Sequence, residues 1–194
     1  MGSGATALER RLVWSAAGLG AAAAAAVALL AGVSWAWWQW ALVLAVAVDV
    51  LGGIPANSLG SAKRFYHSPG SEPAGRARRL LRDSRSFAAA HLHPFLVAAT
   101  VPDATWTWAI FWYGACLGGT AVVAAVPLYL SRPVASATVA LALVAGPVVG
   151  APPGLEWLGP LLALKLVVAH AVPEEPYRPE AGRAGATARP GQER

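Results

Sequence analysis

Apolar stretches of bilayer length dominate this chain. A helix needs roughly 20 mostly apolar residues to cross a hydrocarbon core of about 30 Å. Lipid offers no water to backbone N–H and C=O groups, so a helix must satisfy them within itself. Residues 12–33 meet the length requirement, with alanine at all six positions 21–26. Residues 35–54 meet it with one charge, Asp49. Residues 106–130 and 133–150 meet it with no charge before Arg132 or after it. Residues 155–172 are apolar apart from Glu156, Lys165 and His170, and residues 87–101 are short and contain His91, His93 and Pro94. The expected fold is an all-α polytopic transmembrane bundle of six spans, a single domain over residues 1–172. Only 13% of the 194 residues are charged and 56% are hydrophobic, whereas a soluble domain carries about a quarter charged. That balance excludes a disordered chain, and the single cysteine, Cys116, excludes a disulfide scaffold. The first run is too long for a cleaved signal peptide, and no small-residue cleavage site follows it.

Charge placement orients the spans. The net charge is +5, but the basic residues sit in short blocks between apolar runs, a membrane pattern and not that of a nucleic-acid binder. Lys and Arg stay on the cytoplasmic side. Arg10 and Arg11 precede the first run; Lys63, Arg64, Arg76, Arg78, Arg79, Arg82 and Arg85 lie in the loop of residues 55–86; Arg132 separates the fourth and fifth runs; Arg178, Arg183, Arg189 and Arg194 follow the sixth. Six spans with both termini cytoplasmic place every basic residue except Lys165 inside, in a multi-pass protein of the cell membrane. Tryptophans at 35, 37, 38, 40, 106, 108, 112 and 157 then open spans from outside, at the interface that indole favours.

Between the spans, residues 74–86 read as an amphipathic interfacial helix. Ala77, Leu80, Leu81 and Ser84 share one face, and arginines take most of the other, facing anionic membrane lipid. Residues 173–194 are rich in Pro, Gly, Ala and charge, which predicts a disordered cytoplasmic tail. Glycines such as Gly18, Gly20, Gly114, Gly118, Gly119 and Gly146 permit close helix packing. A homo-oligomer is compatible with this pattern and not required by it.

The ionisable residues share one depth. A charge in mid-membrane costs roughly 2.5–3.5 kcal/mol on insertion scales, so it marks a functional site by default. Asp49, His91, His93 and Lys165 all fall in the cytoplasmic half of their spans and are the candidate catalytic residues, with Asp49 or a histidine as acid or base. Asn57, Lys63, Arg64, His67 and His170 are the candidate substrate-binding residues, the cations suiting a phosphate. No cofactor is required by the sequence. A divalent metal or a haem held by His91 and His170 is the metal option. His91 and His93, about 200° apart on a regular helix, diverge unless Pro94 breaks it. HExxH and CxxC patterns are absent, as are the Asp-rich motifs of prenyltransferases, the DxxDGxxAR of CDP-alcohol transferases and the GxSG of rhomboid proteases. The functional expectation is a cytoplasm-facing pocket that binds or acts on an amphiphilic substrate, lipid or isoprenoid-like and phosphorylated. The alternatives are a small transporter or proton-handling protein, and a structural subunit in which Asp49 and Lys165 simply pair.

Overall fold

A computed structural model describes residues 5–67 and 82–173. Every element among them is helical. The elements are α1 (Ala7–Leu30), α2 (Trp37–Ser58), α3 (Gly60–His67), α4 (Ser84–Ala89), α5 (His93–Thr100), α6 (Trp106–Val123), α7 (Ser131–Ala145) and α8 (Leu158–Ala163). A 3-10 turn at Leu128–Leu130 runs into α7, and another at Gly146–Val149 continues it. Beyond α8 the helix widens into a π-helical stretch, Leu164–His170, in which the Ala171 N–H reaches the Leu166 carbonyl five residues back.

Local chemistry sets the helix starts. Thr6 and Glu9 form a reciprocal capping box that begins α1, so this helix starts five residues before the apolar run. Gln39 reaches back to the Ala36 N–H at 2.8 Å, and its amide donates to the Thr100 carbonyl at 2.5 Å. One side chain thereby serves the start of α2 and the end of α5, where lipid would leave those groups unsatisfied. Asp83 caps α4 through the Ser86 N–H, and Thr105 caps α6 through the Trp108 N–H.

Six spans are not supported. Three helical stretches have the length and apolar composition to cross a membrane: Ala7–Leu30, Trp37–Ser58 and Leu128–Val149. The run at 87–101 is two short helices, because the chain turns at Ala90–Leu92 ahead of Pro94, whose ring and missing N–H suit only a first turn. The run at 106–130 stops at Val123, and Pro127 separates it from the turn that joins α7. In the run at 155–172 the helix begins only at Leu158 and covers 13 residues to His170. The second helix, by contrast, passes through Gly52, Gly53 and Pro55 to Ser58. Most of the expected amphipathic helix at 74–86, and the tail from 174 onward, lie outside the described residues.

Six segments nevertheless alternate in direction. Gly20 abuts Leu51 and Gly52 abuts Ala17, so α1 and α2 form an antiparallel hairpin. Gln39 with Thr100, and Asp49 with His93, make α5 antiparallel to α2. Trp112 against Gly146 and Gly159, and Gly119 against Thr138 and Val167, make α6 antiparallel to α7 and parallel to the α8 segment. Ser61 donates to Glu9 at 3.3 Å and Lys63 to the Val172 carbonyl, so the first and last described turns share one face. Every described arginine lies at this terminal face, on α1, α3, α7 or at the start of α4.

The tryptophans divide between surface and core. Trp37 and Trp106 are exposed, but Trp108 and Trp112 are buried. Trp112 fills the space that two glycines leave: a Cβ on Gly159 would lie 2.3 Å from its ring, and one on Gly146 2.7 Å. Their indoles therefore pack the bundle and do not line an interface.

Candidate functional site

Asp49 lies 12 residues into α2 and is the one charged residue of that helix. Lys165, in the π-helical stretch, reaches it with a 2.6 Å bond to Oδ2. His93, the first residue of α5, brings Nε2 to 3.3 Å from the same oxygen. Three segments distant in sequence thus converge on one carboxylate. Oδ1 accepts no bond from a described residue. Lys165 is buried to 2% exposure, whereas the Asp49 side chain is 48% exposed. The ammonium therefore anchors from inside a carboxylate that opens outward.

Gly53 creates the room for that ammonium. It lies four residues after Asp49, on the same helical face. A Cβ there would stand 2.5 Å from Lys165 Cε and 3.1 Å from Nζ. The signal for this role in the sequence is the i, i+4 spacing of Gly53 from Asp49. The π-helical stretch carries Lys165 within it, and such widened turns occur often at functional sites.

The break at Ala90–Leu92 brings the two histidines together. The His91 and His93 rings lie 5.3 Å apart, where a regular helix would hold them on opposite faces. His91 Nδ1 donates to the Phe87 carbonyl at 2.7 Å, leaving Nε2 as the basic nitrogen. His93 Nδ1 is buried without a partner among the described residues. Lys165, Asp49, His93 and His91 form a contiguous row of titratable groups, with Lys165 at its buried end.

The expected binding residues mostly assemble elsewhere. Lys63 is buried and donates to the carbonyls of Ala169, at 2.5 Å, and of Val172. It caps the C-terminal end of the last helix, where a cation meets unpaired carbonyls and the negative end of the dipole. His67 Nε2 donates to the His170 carbonyl at 3.2 Å. Burial holds the His67 imidazole below its ordinary pKa, with Lys63 and Arg82 acting in the same direction and the bond to His170 opposing. The His170 ring is stacked on Phe87 at 3.8 Å and meets Tyr66 edge-on at 4.6 Å. Both its nitrogens are buried and have no partner among the described residues. Asn57 is buried and its Nδ2 has no partner among the described residues, and Arg64 is exposed on α3, in the field of Glu9. None of these five touches Asp49. Phe87 links the two groups, since it packs on His170 and, at 4.5 Å, on His91.

That same phenyl ring packs against both candidate metal or haem ligands, His91 and His170. Among the described residues no three His, Cys, Asp or Glu side chains converge as a metal site would need. The arrangement can transfer protons at Asp49 and His93 and can accept a hydrogen bond at Oδ1. No protein-family model matches the chain, and no curated protein or solved structure is similar to it.

Proposed function

We propose that this is a multi-pass protein of the cell membrane, with both termini cytoplasmic, that binds the polar head of an amphiphilic substrate at Asp49 and acts on it by acid–base chemistry. The observation that carries the reading is the half-exposed Asp49 carboxylate, set in an apolar helix and held by a buried lysine. A membrane protein retains such a group at a cost, and Lys165 and His93 both approach Oδ2 alone. Asp49 is the acid or base, with Oδ1 toward substrate. Lys165 fixes its charge and position. His93 relays the proton, and His91, oriented by the Phe87 carbonyl, extends the relay. The substrate class is a lipid or isoprenoid-like molecule with a phosphate, drawn to the arginines of the terminal face. The same arginines favour that face as the cytoplasmic one.

The test is mass spectrometry of lipids that co-purify with the protein in mild detergent. The double variant Asp49→Asn with Lys165→Met removes the charged pair together, which leaves no stranded charge. A bound amphiphile present in the parent and absent from a folded double variant is the expected result. Identical lipid profiles in both would overturn the reading.

A second reading rests on the row Lys165, Asp49, His93 and His91. Such a row could serve proton movement without any lipid substrate. Proteoliposomes loaded with a pH-sensitive dye separate the two: an Asp49-dependent proton flux with no bound amphiphile would favour transport.

A further inference from the structure

A second polar site lies at the terminal face, and its lining shares no residue with the group around Asp49. A cavity of about 300 Å³ opens between the end of α2, the start of α7 and the end of the π-helical stretch. Ser58, Lys63, Arg132 and Ser136 supply its polar wall, and Val168 and Val172 are part of its apolar one. Among the described residues no acidic side chain lines it. Arg132 makes no ion pair or hydrogen bond with a described residue. The Lys63 ammonium is already fixed by the Ala169 and Val172 carbonyls, so its charge is preorganised beside the cavity.

Depth tells what this cavity meets. Trp37–Ser58 and Leu128–Val149 are each 22 residues long, which gives about 33 Å at 1.5 Å per residue. That matches a hydrocarbon core of about 30 Å. The two stretches run in opposite directions, and the C-terminal end of the first and the N-terminal end of the second meet at the cavity. It therefore lies where the acyl region gives way to headgroups. Arg132 and two serines line it together with valines, as a phosphodiester joined to acyl chains would require. Arginine's planar fork suits two phosphate oxygens at once.

We propose that this cavity binds the phosphate of an anionic membrane phospholipid, with Arg132 as its principal ligand and Ser136 as a second. The proposal rests on the membrane placement and is independent of any chemistry at Asp49.

The experiment uses the full chain in detergent, with dioleoylphosphatidylglycerol, dioleoylphosphatidylcholine or potassium phosphate added. Native mass spectrometry reads lipid occupancy, and thermal unfolding reads stabilisation. The parent should bind the anionic lipid in preference to the zwitterionic one. Arg132→Gln should weaken that binding about tenfold, as loss of a charged hydrogen bond does, and Ser136→Ala should weaken it less. Both variants should unfold as the parent does without added lipid. Arg11→Gln removes a cation from the same face, on α1, and should weaken binding far less than Arg132→Gln. Equal weakening by Arg11→Gln and Arg132→Gln would overturn the site in favour of diffuse attraction, as would a parent that does not distinguish the two lipids. Equal, Arg132-dependent stabilisation by potassium phosphate would overturn the lipid source. Glu174 and Glu175 follow this region in sequence. A tenfold gain in lipid binding on changing both to Gln would make the cavity a seat for the chain's own carboxylates and overturn the proposal.

Discussion

Two places in this molecule use glycine to admit a large side chain, and they differ in what they admit. Toward the face opposite the termini, Gly146 and Gly159 close on the Trp112 ring. Nearer the terminal face, Gly53 closes on the Lys165 ammonium. The first contact is apolar on both sides and buries an indole, which repays the close approach through dispersion and packing. The second buries a charge and needs Asp49 to compensate it. A bundle built for stability alone would repeat the first device. The second, with its carboxylate half open, separates the part of the molecule that holds the fold from the part to which the proposed reading assigns chemistry.

The comparison breaks most sharply at Asp49. Asp49→Asn strands an ammonium at 2% exposure, and loss of a buried charge's partner costs about 3–5 kcal/mol. Lys165→Met should cost less, because it strands a carboxylate that is 48% exposed. The double variant should recover most of the loss. Thermal unfolding in detergent gives the order; equal stability of Asp49→Asn and the parent would show that the pair is uncoupled.

Next in size is Gly159→Ala. The new methyl meets the Trp112 ring at 2.3 Å, and Gly146 blocks retreat on the other side. Overpacking of a buried site costs about 1–3 kcal/mol. Trp112→Phe in the same chain should restore part of it. Restoration is the diagnostic result, since a conformational need for glycine would not respond to ring size.

Gly53→Ala should have a smaller effect on stability. The atom it meets is the far end of a flexible side chain, and alanine gains roughly 1 kcal/mol of helix propensity over glycine. What should change is coupling. With the ammonium pushed aside, the interaction energy between Asp49→Asn and Lys165→Met, read from a double-mutant cycle, should shrink. An unchanged cycle would mean that Lys165 reaches Asp49 without the room Gly53 gives.

The helical class was legible because apolar length in lipid has few other outcomes. The shared depth of Asp49, His93 and Lys165 was legible too, since charge in an apolar run stands out against its neighbours. Span count was less so. Run length alone does not register that Pro94 opens a new helix and that Pro127 stands in a break between helices, nor that residues 155–157 precede the first turn of α8. The tryptophans misled for a related reason: an indole suits an interface and an interior equally, and only the glycines opposite Trp112 decide. Lys63 read as a phosphate ligand, yet its first partners are backbone carbonyls from more than 100 residues away. Local sequence carries no trace of that cap.

The smallest expected effect concerns pH at the aromatic cluster around His170. Burial lowers the His67 pKa in the folded protein, and Lys63 and Arg82 add to the shift. The unfolded chain returns His67 to an ordinary value near 6.5. Between the two values the unfolded state binds more protons, so stability rises with pH there. The contribution is complete above about pH 6.5 and is lost as pH falls toward the folded pKa. Thermal unfolding in detergent should therefore show lower stability at pH 5.5 than at pH 7.5. The buried histidines near Asp49 titrate as well, so the parent's slope alone does not isolate His67. His67→Gln keeps a donor for the His170 carbonyl and removes the titration. Its slope should be shallower than the parent's by the share that His67 carries. Parallel slopes would mean that His67 is charged or solvated in the folded protein, and the closed aromatic cluster around His170 would then have to open to water.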